Sequence, residues 1–243
     1  MSSQPKIVAL LPMKAHSARV KGKNFREFAE KPLFRWILDT LRSMEEIDRI
    51  VINTDAREIL LEHGLEDGGQ IQIRDRKSEL RGDMVSMNKV LADDVASVSA
   101  DIYLMTHTTN PLLKASTIRA ALLKFQEAQR NGNADSLFSV NRLQTRFYRE
   151  DASPINHDPN NLLRTQDLEP WFEENSNLYI FTSGSFAATN ARIGNHPILF
   201  ETPPTESYDI DDQYGWDLAE LMAKHFWQSS YDRLADAGYL DKS

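Results

Sequence analysis

Two segments far apart in the chain carry groups suited to holding phosphates and a hard cation. Near the start, Leu11 to Asn24 reads LPMKAHSARVKGKN, and from Lys14 to Arg35 there are seven basic residues (Lys14, Arg19, Lys21, Lys23, Arg26, Lys31, Arg35) against two acidic ones (Glu27, Glu30). A cationic loop at the end of a strand of a parallel sheet can hold a phosphate chain, because backbone amides and long cations offset the gathered negative charge. Lys14 and Lys23 can then contact different phosphates, with Ser17 or Asn24 adding neutral hydrogen bonds. The competing reading is a solvated basic face. Neither G-x-G-x-x-G nor G-x-x-x-x-G-K-[ST] occurs, so a standard dinucleotide or Walker-type loop is not supported.

Near the other end, ESYDIDDQYGWDLAE (206–220) sets Asp209 and Asp211 two residues apart ahead of an apolar helix. In an extended backbone residues i and i+2 face the same way, so both carboxylates can approach one hard cation while Ile210 turns to the core. Magnesium, completed by water or phosphate oxygens, fits two carboxylates. Asp212 is placed to cap the following helix. An ordinary acidic loop is the competing reading.

Composition narrows the rest. The 243 residues carry 28 Lys and Arg against 36 Asp and Glu, a formal charge of −8, which disfavours a nucleic-acid partner but leaves room for a local phosphate site. Cysteine is absent, excluding disulfides, thiolate nucleophiles and cysteine-bound zinc. No apolar run nears the ~18 residues of a membrane span, and no secretory leader pattern opens the sequence. The expectation is a cytoplasmic protein without a membrane partner.

The elements that must position these groups alternate. Strand patterns fall at Ile7–Leu11, Arg49–Asn53, Gln70–Arg74, Ile102–Thr106, Asp135–Val140, Leu178–Thr182 and Ile198–Glu201. Helical patterns follow Pro32 (Leu33, Trp36, Ile37, Leu41) and cover Ala56–His63 with Asp55 as cap and Gly64 as stop. Others cover Met84–Val95, a long helix capped by Ser116 and reaching about Gln129, Ser185–Ala191, and about Tyr214–Trp227. This order predicts an α/β fold with a mostly parallel sheet covered on both faces. Pro154, Pro159 and Pro170 interrupt every long helix template between Asn141 and Asn177, so 141–177 is expected as an excursion within a single domain spanning 1–243.

LPMKAHSARVKGKN, followed by KPLFRW and the late YDIDDQYGWDLAE, resembles the cytidylyltransferase family that includes acylneuraminate cytidylyltransferases, with the segments in the same order across nearly the whole chain. The resemblance implies a three-layer α/β nucleotidyltransferase (Rossmann-like) fold, a homodimer, and magnesium-assisted transfer of CMP from CTP to an acidic acceptor, usually an acyl sugar acid. By it, Lys14 takes the place of a phosphate-binding arginine, Ser17 is a nucleotide-loop position, and Lys23 and Asn24 are the pair that ends the loop. Ala15 and His16 replace the usual paired glycines, and Ala18 and Arg19 the usual lysine-glycine pair. Arg74 and the LRGD segment with Arg81 resemble the next nucleotide-side region, where Arg81 can compensate electrostatically.

In THTTNPLLKASTI (106–118), His107 stands near a usual glutamine, and Thr108 is a compact nucleotide-side donor. His107 can equally be a packing or loop residue. TQDLEPWFEENSNLYIF (165–181) resembles an acceptor-side segment, which makes Gln166, Asn175, Asn177 and Tyr179 acceptor candidates, with Ser176 in place of a glycine. Tyr179 can also be a half-buried strand aromatic. The excursion holding them can supply the dimer contact. In the implied reaction, Asp209 and Asp211 place magnesium while Lys14 and Lys23 steady the polyphosphate. The alternatives are a same-fold nucleotidyltransferase with a phosphonate acceptor or a different nucleotide, and a nucleotide-binding protein without turnover.

Overall fold

The computed structural model describes residues 4–17 and 19–236. In chain order the strands are β1 (Ile7–Leu10), β2 (Glu27–Phe28), β3 (Lys31–Pro32), β4 (Arg49–Thr54), β5 (Ile71–Asp75), β6 (Ile102–Thr106), β7 (Ser136–Leu143), β8 (Trp171–Phe181) and β9 (Pro197–Glu201). The α-helices are α1 (Leu33–Arg42), α2 (Arg57–Glu62), α3 (Met87–Ser97), α4 (Ala115–Arg130), α5 (Ser183–Thr189) and α6 (Gln213–Asp236). Seven strands form one sheet in the order β5-β4-β1-β6-β8-β7-β9. β8 runs antiparallel to both its neighbours, and the other pairings are parallel.

The period-2 rule explains why the strands are apolar on both sides. Ile7, Ala9 and Leu11 pack with α1, α2 and α4 in one core, whereas Val8 and Leu10 pack with Leu91 of α3 and Phe186 of α5 in another. The sheet is therefore the middle of three layers, as the alternation of elements predicts.

A third, smaller core positions the chemistry. β2 and β3 form a two-stranded hairpin whose Phe28 packs edge-on against Trp216 of α6, with ring centroids 5.2 Å apart. Leu33, Ile210 and Ala219 join the same cluster. The Arg26 guanidinium lies 4.4 Å over the Trp216 ring, and Glu220 accepts from the Ala29 amide at 2.9 Å. Docking of α6 on this hairpin carries the acidic segment before it to the N-terminal basic loop.

Several expected local details differ. Asp55 does not cap α2, which begins after Ala56 without a side-chain cap; its carboxylate instead accepts from the Ala15 amide at 2.7 Å. Ser116 lies inside α4, and the Lys114 amide at that helix start donates to Glu206. α3 starts at Met87 and not Met84, because Gly82 (φ +104) and the exposed Met84 belong to a loop. α6 and β8 are longer than expected. The ends of β7 and β8, inside the 141–177 stretch, pair with each other from Val140–Glu174 to Leu143–Trp171, so cross-strand bonding overrides weak local pattern there. Asp212 caps α6 as expected, accepting from the Gly215 amide at 2.7 Å.

Candidate functional site

A cleft of about 540 Å³ opens beyond the C-terminal ends of β1 and β6. Its walls include Lys14, Ser17, Arg19, Lys23, Asn24, His107, Thr108 and Thr109, with Arg76, Gly82 and Asp83 facing them. Open α/β sheets hold ligands at this end of their strands, where loops diverge and leave a crevice.

The basic loop is held by its own asparagine. The Asn24 amide donates to the Lys14 carbonyl at 2.8 Å, and its oxygen accepts from the Thr108 hydroxyl at 2.6 Å. Asn24 and Thr108 are both buried, so these two tie the loop to the end of β6 while Lys14 and Lys23 supply charge. Lys23 donates to the Ile210 carbonyl at 2.6 Å. Burial pushes the Lys23 ammonium below its usual range, and the charges of Asp209 and Asp211 oppose that shift. Lys14 is paired with Asp83 across the cleft, and Arg19 with Asp211 at 3.0 Å. Ala18 lies outside the described residues.

Asp209 and Asp211 are not part of the cleft wall, but their segment is tied to two residues that are, Lys23 through the Ile210 carbonyl and Arg19 through Asp211. The backbone between them is anchored where the Ile210 amide donates to the Thr109 carbonyl at 3.0 Å. Burial raises the Asp209 carboxyl above its ordinary value, hydrogen bonding to Thr109 opposes this, and the Asp211 charge adds to it. One buried Asp209 oxygen, Oδ1, has no hydrogen-bond partner. A buried, partnerless carboxylate oxygen beside a second carboxylate is a fitting donor for a hard cation. Among the described residues no three His, Asp or Glu side chains converge as a metal site. Such an ion would therefore take two carboxylates from the protein and the rest of its oxygens from substrate and water.

His107 lines the cleft. Burial, reinforced by the charges of Arg192 and Lys23, pushes its imidazole down to about 3. A ring of such low basicity is neutral at physiological pH and suits hydrogen bonding better than proton abstraction.

Other expected site residues lie elsewhere. Arg74 is turned towards α3, pairing with Asp93 at 2.5 Å and Asp94 at 3.1 Å. Arg76, two residues on, faces the cleft instead; it is buried and donates to the carbonyls of Met13 and Asn53 and to the Asn53 side chain. Arg81 is exposed and donates to the Arg76 carbonyl. Gln166 sits exposed on the short helical turn Thr165–Asp167, away from the cleft.

Asn175 is saturated by protein: it accepts from Ser139 and donates to Asn141 and Thr202. It braces the irregularity where β7 and β8 shift register between Phe138 and Val140. Ser176 there adopts φ +55, a left-handed conformation that glycine enters more freely. Asn177 is fully buried, donates to the Glu206 carbonyl at 3.0 Å, and keeps an unpartnered side-chain oxygen. Tyr179 is buried, and its hydroxyl meets Glu174 and Ser176. Burial raises that phenol to about 12, against the opposing Arg192 charge. Arg192, which no sequence pattern singled out, stacks on the Tyr179 ring at 3.8 Å. Only the fold brings it there, from the turn after α5.

A family model described as Cytidylyltransferase matches residues 8–228. Among curated relatives, an N-acylneuraminate cytidylyltransferase of Oncorhynchus mykiss is 26% identical over 93% of this chain, which spans 52% of that protein. A pseudaminic acid cytidylyltransferase of Campylobacter jejuni is 23% identical over 93% of this chain and the whole of its own length. Among solved structures, a CMP:2-keto-3-deoxy-manno-octonic acid synthetase complexed with CTP superposes with TM-score 0.62 at 14% identity, over 90% of this chain and 99% of that one. A 4-diphosphocytidyl-2C-methyl-D-erythritol synthase from Anaerococcus prevotii gives 0.60 at 12% identity, over 92% and 96%. These two share the nucleotidyltransferase fold.

Proposed function

The chain belongs to the cytidylyltransferase family, and on that premise we propose that it transfers CMP from CTP to a sugar acid and releases pyrophosphate. The observation that carries the reading is the bond from Lys23, a cleft-lining residue of the phosphate-type loop, to the carbonyl of Ile210, the residue between Asp209 and Asp211. Relatives named for N-acylneuraminate and pseudaminic acid support an acidic acceptor.

In this reaction a hydroxyl oxygen of the acceptor attacks the α-phosphorus of CTP, the bond to the bridging oxygen of pyrophosphate breaks, and the hydroxyl proton is lost to water. Lys14 and Lys23 bind the polyphosphate and offset the charge that builds on the leaving group. Swapping of Lys14 from Asp83 to phosphate accompanies nucleotide entry. Asn24 and Thr108 keep the loop in place, so that attack and departure stay in line. Asp209 and Asp211 would hold magnesium, which supplies Lewis-acid neutralisation of phosphate charge. The chain is proposed to work as a homodimer through the excursion, where Tyr148, Leu162, Leu163, Trp171 and Phe172 are exposed apolar side chains.

A second reading keeps the fold but changes acceptor or base. It is favoured by Ala15 and His16, since the Ala15 amide is already engaged by Asp55 and the phosphate path must differ from a glycine-lined one. A panel of CTP, UTP, ATP and GTP against sugar acids and a phosphonate, read by pyrophosphate release and product mass, tests both. CMP-linked product from a sugar acid supports the first reading; product only from another nucleotide or the phosphonate overturns it.

A further inference from the structure

We propose that Arg192 binds the carboxylate of the acceptor, in a side chamber that selects a monocarboxylate also bearing a hydroxyl or amide N–H. The assignment rests on the sugar-acid reading above and names the residue that reads the acid.

A concavity of about 270 Å³ is lined by Ser86, Met87, Asn88, Glu174, Arg192 and neighbours of Arg192. Met87 also lines the main cleft, so the two spaces adjoin. Arg192 is built into this chamber. One face of its guanidinium lies on the Tyr179 ring at 3.8 Å, and its backbone amide donates to the Asn88 side chain at 3.3 Å. That stacking fixes the plane of the group without using its N–H donors, and a fixed planar fork is the geometry that recognises a carboxylate.

Its donors are still available. The nearest acid, Glu174, stands 3.5 Å away, longer than a charge-assisted hydrogen bond, and the Tyr179 hydroxyl also bonds Glu174. Among the described residues the guanidinium makes no side-chain hydrogen bond. By contrast, Arg76 and Arg57 spend their donors on protein acceptors. Arg192 is largely covered, with 19% of its side chain exposed, so an anion there meets weak solvent competition. Its charge acts on His107 of the main cleft, and Met87 lines both spaces.

Glu174 sharpens the selection. A carboxylate beside the fork repels a second negative charge and accepts from a hydroxyl or amide N–H, so a monoanionic polyol or acylamino acid fits better than a phosphonate dianion.

The test compares the wild type with Arg192→Met and Arg192→Lys, using CTP with N-acetylneuraminate, 2-keto-3-deoxy-manno-octonate or pseudaminate, each beside its methyl ester, and a sugar phosphonate. For whichever acid the wild type converts, Arg192→Met should raise the acceptor KM 10- to 100-fold. CTP affinity by calorimetry should stay within twofold. The wild-type preference for acid over ester should fall to near unity. Arg192→Lys, which keeps the charge and loses the fork, should fall between and carries the test if the methionine variant does not fold. An unchanged acceptor KM and ester discrimination, or a phosphonate preferred over every acid, overturns the assignment while wild-type turnover leaves the sugar-acid reading standing. No CMP product from any acid with the wild type overturns that reading first, and this one with it.

Discussion

The ammonium of Lys23 sits 2.6 Å from the carbonyl oxygen of Ile210, the residue between Asp209 and Asp211 and 187 positions away in sequence. The bond ties a cationic loop to the segment of a carboxylate pair. It also places Lys23 where burial and two nearby carboxylates compete over its charge.

Replacing Lys23 by methionine keeps the length of the stem and removes both the tie and the charge. CTP-dependent turnover is expected to fall at least 100-fold, on the order of 3 kcal/mol of transition-state stabilisation. Steady-state kinetics at saturating acceptor measure this. Turnover within threefold of the wild type would remove Lys23 from the polyphosphate site.

Asp209→Asn and Asp211→Asn should each raise the magnesium concentration needed for half-maximal turnover, with the larger effect at Asp209, whose buried Oδ1 has no protein partner. Asp211 is more exposed and shared with Arg19. Because burial disfavours the ionised Asp209, its asparagine variant should melt no lower than the wild type at neutral pH. Chelation should abolish wild-type turnover and magnesium restore it. Magnesium titrations alongside thermal melts separate the two effects.

Asp83→Asn releases Lys14 from its partner across the cleft. Both groups are substantially exposed, so stability should scarcely change. The KM for CTP should instead drop severalfold at low ionic strength, with the gain fading as salt rises. Kinetics at two salt concentrations decide it, and an unchanged or higher KM would show that the pair does not compete with nucleotide.

Acid titration should expose two groups of opposite sign. His107 is pushed down to about 3, so between the unfolded value near 6.5 and that level the unfolded chain binds more protons, and stability falls as pH falls. Asp94 is raised to about 6, chiefly by burial, so between about 6 and its unfolded value of 3.8 the folded chain binds more protons. Stability at that residue therefore rises as pH falls. The two partly cancel in the wild type. Asp94→Asn should make stability fall more steeply from pH 6.5 to 4, and His107→Gln should flatten or reverse the slope, each by on the order of 1–3 kcal/mol over the window. Urea midpoints at several pH values measure both.

Short-range chemistry is what the sequence by itself determined. The apolar runs at β1, β4, β5 and β6, the capping role of Asp212, the basic loop and the paired aspartates all follow from neighbours within a few residues, where propensity, periodicity and charge density act. Tertiary structure decided which of those groups meet. Arg74 and Arg76 share one strand-type spacing, yet the register of β4 and β5 and the acids of α3 claim Arg74 while Arg76 reaches the cleft. Asp55 is a reasonable helix cap by position, but a loop amide 40 residues away takes its carboxylate. Asn175 reads as a substrate contact until β7, with its shifted register, supplies Ser139 and Asn141 to saturate it. Arg192 carried no local signal, because its orientation comes from the Tyr179 ring on β8. Long-range partners compete for each polar side chain, and that competition is settled only when the sheet and α6 bring distant segments together.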